Sequence, residues 1–140
     1  MIDVAIVTLS LLLSVLITPK DPKREWTPTF KGSFEQRYAQ AVVHYQEKMG
    51  LEEDFIVEIR ETPRMIDGEP RCAWVDRSRE WRVDVVGLST SKGCQRKWKP
   101  EFLALHESCH RRMKHLDVAV EFPHTEVKTC MGWYSEKWRR

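Results

Sequence analysis

The residues of this sequence best suited to chemistry are two histidines four positions apart with a glutamate beside the first: His106-Glu107-Ser108-Cys109-His110. On an α-helix, positions i and i+4 project from one side a turn apart, so both imidazoles can reach a single ion. Glu107 is turned about 100° from His106, which makes it a poor third ligand but puts it where it can hold a metal-bound water. Zn²⁺ is the cofactor such a pair implies. It brings the pKa of that water down to near 7 and polarises a carbonyl, while Glu107 takes the proton and returns it to a leaving amine. With only five His in the chain, the pattern arises by chance in roughly 0.02 sequences of this composition, which disfavours two surface histidines beside an unrelated Glu. A catalytic site keeps one position for water, so a third protein ligand is expected.

The elements around the motif are those needed to hold such a helix. Pro100 suits a first helical turn, and Phe102, Leu105, Cys109 and Met113 then form one apolar stripe. Earlier in the chain, Ser33 followed by Gln36 is a capping-box pattern. Phe34, Tyr38, Ala41, Val42, Tyr45 and Met49 recur behind it at helical spacing until Gly50. Residues 55–59 alternate as a part-buried strand, ended by Pro63 and Asp67-Gly68. Residues 72–76 and 81–86 read as a hairpin, 87–99 as loop, and Pro123 opens a last helix with Val127, Cys130, Met131, Tyr134 and Trp138 on one face. The expected order is α, β, β, β, α, α, an α+β domain with a small three-stranded, mostly antiparallel sheet.

Four residues downstream can complete the ligand set: His115, Asp117, His124 and Glu126. Spacing alone does not choose among them, and Glu126 and His124 flank opposite edges of the last helix's apolar face. The whole arrangement, from about residue 33 to 138, resembles the zincin superfamily of metallopeptidases, in which a helix and small sheet precede the H-E-x-x-H helix. The metzincin pattern is not met, because Met113 stands at its Gly position and His115 falls one residue early. Glu126 resembles the Glu ligand of ImmA/IrrE-like peptidases, whereas His124, fourteen residues after His110, would suit a SprT-like pattern. Whichever of the two is not a ligand would orient one or bind the tetrahedral intermediate. The resemblance implies a polypeptide substrate added as a strand along Trp81, Val83 and Val85. Tyr134 could stabilise an oxyanion, but it lies squarely on the apolar stripe, where core packing is the preferred role.

Bulk composition sets the remaining bounds. A chain of 140 residues, 41% hydrophobic and 31% charged with six Trp, is a single folded domain's worth of sequence and too apolar for a disordered one. A net charge of +2 names no partner. Local basic runs (Lys92, Arg96, Lys97, Lys99, then Arg111, Arg112, Lys114) support a rival reading, a SprT-like protein docked on nucleic-acid phosphates, with Trp98 as a stacking residue. A second rival is a non-catalytic zinc-stabilised binding module. His44 reads as a packed helical histidine. The four Cys lack a C-x-x-C pair, and a bridge at Cys109 would strain a catalytic helix, so mostly free thiols are expected. Residues 1–18 carry an unbroken apolar stretch at 4–17, followed by a Pro-rich charged linker at 19–32 and the domain at 33–140. As a helix, 1–18 would rise about 27 Å, just short of a ~30 Å hydrocarbon core. Lys20, Lys23 and Arg24 would then keep the domain cytoplasmic. Export is the alternative, although the stretch opens with Asp3 and ends in Leu-Ile-Thr-Pro, unlike a cleavable signal.

Overall fold

The computed structural model describes residues 27–113 and 124–135, apart from the side chains of 124 and 125. The apolar 4–17 segment, most of the 19–32 linker, His115, Asp117, Pro123 and Trp138 lie outside the described residues. No helix among the described residues is long and apolar enough to cross a membrane.

Helix α1 spans Phe34–Met49 and starts where the sequence places it. Ser33 Oγ accepts from the Gln36 backbone N–H, and the Gln36 side chain accepts from the Ser33 N–H, so two donors that the helix leaves over are satisfied together. Gly50 ends the helix at φ 64°, a left-handed conformation that costs other residues a Cβ clash. Tyr38, Ala41, Val42 and Tyr45 face inward and are fully buried, against Leu105, Cys109 and Ala104 of the motif helix. Each large apolar side chain so buried contributes roughly 1.5–3 kcal/mol.

Five strands follow: β1 Phe55–Arg60, β2 Arg64–Ile66, β3 Glu69–Arg71, β4 Ala73–Ser78 and β5 Val83–Ser89. The main sheet is three-stranded and mixed, in the order β1-β5-β4, with β1 parallel and β4 antiparallel to β5. This corrects the mostly antiparallel expectation. Val57, Val86 and Val75 stand abreast in the register; Val86 lies in the core, Val57 packs against it and Val75 is buried. The chain breaks read at Pro63 and Asp67-Gly68 prove to bracket a second, two-stranded sheet, β2-β3. Asp67 and Gly68 both have positive φ, 52° and 77°, as a two-residue hairpin turn of the mirror-image type requires.

Two further expectations change. The segment read as loop carries the end of β5 through Ser89 and then a short helix, α2 Lys92–Lys97, capped by Ser91. The strand expected to receive a substrate is the central one: Val85 is paired with both Ile56 and Asp76, so its backbone bonds are already taken. Val83 pairs with Ser78, and Trp81 lies in the preceding turn, 69% exposed. Within the described residues the free edges belong to β1 and β4, and β4 is the strand packed against the motif helix. Gly87 of β5 is obligatory, because a Cβ there would meet the Trp74 ring at 1.8 Å.

Helix α3, Pro100–Arg112, carries the motif, and α4, His124–Tyr134, follows the 114–123 segment. The expected stripe on α3 is present: Leu105 and Cys109 are fully buried, and Phe102 and Met113 pack against the core from its edge. Val127, Cys130 and Met131 do the same for α4.

Candidate metal centre

Helix α3 is fixed at both ends by buried ion pairs, and the histidines lie between them. At the amino end Glu101, fully buried, accepts from Arg37 Nε and Nη2 at 3.0 and 2.8 Å and from the Phe30 backbone N–H at 2.8 Å. Burial alone would raise its pKa, but the Arg37 hydrogen bonds and the Phe30 N–H together hold the carboxyl below its ordinary value. At the carboxyl end Arg111, 2% exposed, donates to Asp84 Oδ2 at 2.8 Å, Gln46 Oε1 at 2.6 Å and the Glu53 carbonyl at 3.1 Å. Its guanidinium also lies 5.1 Å from the centre of the Phe55 ring, and Asp84 is shared with Arg77 at 3.0 Å. Arg111 therefore ties α3 to β5, α1 and the turn before β1. It cannot dock on a phosphate, which removes it from the basic run read in the sequence.

Between these clamps His106 and His110 turn their ε nitrogens toward each other, Nε2 to Nε2 at 3.1 Å, with ring planes at 66°. A tetrahedral ion with bonds of about 2.0–2.1 Å needs two ligand nitrogens roughly 3.3–3.4 Å apart, so a small outward turn of the rings gives the pair the separation of a chelate. The His106 side chain is 29% exposed, which leaves the pair open to solvent.

Glu107 lies beside the pair, its Oε2 3.9 Å from His106 Nε2, and its side chain is 8% exposed. Burial pushes its pKa up to about 8, and the charge of Arg71, at the end of β3, opposes that rise. Tyr38, whose hydroxyl donates to the Gly87 carbonyl at 3.0 Å, is pushed well above its usual range by burial and then by the field of Glu107. The electrostatic reach of Arg71 toward Glu107 has no counterpart in the sequence pattern, where the β2-β3 hairpin that carries it shows only as a chain break.

The other residues named from the sequence fall as follows. Glu126 is exposed in the first turn of α4, and the side chain of His124 lies outside the described residues. Among the described residues no third His, Cys, Asp or Glu joins the two histidines in a metal-holding group. Tyr134 packs at the core edge under Arg112, whose guanidinium lies 5.4 Å from the ring centre. His44 packs edge-on between Phe30 and Tyr45, and Trp98 stacks on Phe102 at 5.7 Å.

The expectation of free thiols is overturned: Cys72 is bonded to Cys94 and Cys109 to Cys130. The anticipated strain on α3 does not arise because Cys109 projects about 80° round the helix from the mean direction of the two histidines. It faces the core, where α4 brings Cys130 to a Cα separation of 5.8 Å. The sequence signal that could have found the bonds is the even count of four Cys in a chain with no C-x-x-C pair. No protein-family model matches this chain, and no curated protein or solved structure matches it.

Proposed function

We propose that this chain is a zinc-dependent peptidase with a minimal zincin-like fold. The observation that carries the reading is the convergence of His106 and His110 at 3.1 Å on a helix clamped at both ends. At 3.1 Å the two rings can share a proton as Nε2–H···Nε2 in the metal-free chain, and the same orientation presents both nitrogens to one ion. Zn²⁺ would be held by these two imidazoles and by one donor from the start of α4, with Glu126 first and His124 as the alternative. When bound it supplies a Lewis acid that acidifies water and polarises a carbonyl.

Glu107 then acts as general base and acid. Its burial withholds water from the carboxyl, so a proton taken up there stays close to the reacting atoms and can be returned to the leaving amine. The free edge of β4, beside α3, offers unpaired backbone groups to which an extended polypeptide can add as a strand. That edge takes the role first assigned to β5, at Trp81, Val83 and Val85. Disulfides persist in oxidising compartments, so the two bonds favour export, or a domain facing away from the cytoplasm, over the cytoplasmic placement first preferred.

The test is cleavage of a degenerate peptide library by zinc-loaded protein, read by mass spectrometry. Glu107→Gln is expected to keep the metal and lose about 10²- to 10⁴-fold in rate. Equal cleavage by the variant would remove Glu107 from the mechanism.

A further inference from the structure

On the zinc reading, the donors come from two successive helices joined by the 114–123 segment, and what aligns them decides whether a site exists. Helix α4 follows the 114–123 segment and contributes Val127, Cys130 and Met131 to the core. Besides the chain itself, a disulfide joins it to α3 at Cys109–Cys130. Cys109 sits inside the motif itself, between His106 and His110. Cys130 stands four residues after Glu126, so the two share a side of α4 one turn apart. The bond therefore sets the height and rotation of the first turn of α4 relative to the histidines, which apolar packing by three side chains would fix less sharply.

We propose that the Cys109–Cys130 disulfide is a positioning element of the metal site, so that the chain acquires its full affinity for zinc only once this bond has formed. Both sulfur-bearing residues are buried, 0% and 2% exposed, so bulk thiols have little access to the bond in the folded chain. It is a permanent staple, made once during folding by exchange with an external disulfide, which is reduced to two thiols as it takes up the two electrons and two protons of Cys109 and Cys130. Its role rests on the zinc reading above, and it extends that reading to the environment in which the protein can work.

The other disulfide supplies the control. Cys72–Cys94 ties the end of the β2-β3 hairpin to α2, closes a loop of nearly the same length, 22 residues against 21, and does not involve α4. A bond that merely stabilises the fold would be as dispensable to the metal as this one. The experiment measures zinc affinity by chelator competition in the full chain and in two double variants, Cys109→Ser/Cys130→Ser and Cys72→Ser/Cys94→Ser, with far-UV circular dichroism on each. Serine is used because reduced thiols would themselves bind zinc.

The expected result is about a 10- to 100-fold loss of affinity in the first variant, the size seen when a ligand's support is removed, with the second within a few-fold of wild type. Equal affinities in both variants would overturn the proposal. So would equal losses, since these would mark a general effect of stability. Should Cys109→Ser/Cys130→Ser not fold, Cys109→Ala/Cys130→Val restores apolar volume without the bond, and wild-type affinity in it is likewise contrary. Failure of the wild-type chain to bind zinc would instead count against the proposed function.

Discussion

Glu101 and Glu107 lie less than two turns apart on one helix and are both buried, 0% and 6% exposed, yet their surroundings push them in opposite directions. Glu101 meets a guanidinium and a backbone N–H, and its carboxyl stays ionised more readily than in water. Glu107 is desolvated, the charge of Arg71 offsets this only in part, and its pKa rises to about 8. A buried charge that is matched holds a fold together, whereas one left unmatched at a cost is kept for another purpose. On the proposed reading, the contrast separates a structural carboxylate from a chemical one within six residues of sequence.

Removing the partner of Glu101 should break the contrast and have the largest effect on stability. Arg37→Met leaves Glu101 buried with its backbone N–H as the remaining donor named above, and about 3–5 kcal/mol of stability should be lost at neutral pH, measured by denaturant unfolding. A loss below about 1 kcal/mol would mean that the Arg37 pair is not what compensates the charge.

The two carboxylates also bend stability in opposite senses with pH. Glu101, with its folded pKa lowered from 4.5, contributes stability above that value, and the contribution is lost as pH falls through the folded pKa. Glu107, raised from 4.5 to about 8, favours the folded state below pH 4.5 and loses that advantage as pH rises toward 8. Metal-free protein should therefore weaken between those two values. Glu107→Gln should remove the slope and gain about 4 kcal/mol at pH 8 while changing little at pH 4. Parallel unfolding curves at both pH values would show that burial does not perturb this carboxyl.

Tyr38→Phe sharpens the picture with a smaller effect. It deletes the bond to the Gly87 carbonyl at 3.0 Å and should cost about 1 kcal/mol in thermal or denaturant unfolding, without altering zinc uptake. A loss of zinc would place this phenol in the site itself.

Local chemistry was legible in the sequence and long-range pairing was not. The capping box at Ser33 and Gln36, the stop at Gly50 and the two-histidine face of α3 depend on residues within four positions of each other, and each is present. The break at Asp67-Gly68 was seen, but a run as short as Arg64–Ile66 is too brief for alternation to reveal. The central place of β5 depends on which strands flank it, which its own pattern does not encode, so the sequence suggests an edge where the sheet has its middle. Arg111 read as a surface cation because its partners Asp84, Gln46 and Glu53 are 27, 65 and 58 residues away. The disulfides escaped for the same reason, since Cys130 reaches Cys109 through tertiary packing.

If the histidine pair is a zinc chelate, metal content after equilibration with Zn²⁺ and removal of excess reports it directly. One zinc per chain is expected in the wild-type protein and in Glu107→Gln, with loss in His106→Ala and in His110→Ala. Zinc retained in full by either histidine variant, or none bound by the wild-type chain, would contradict it.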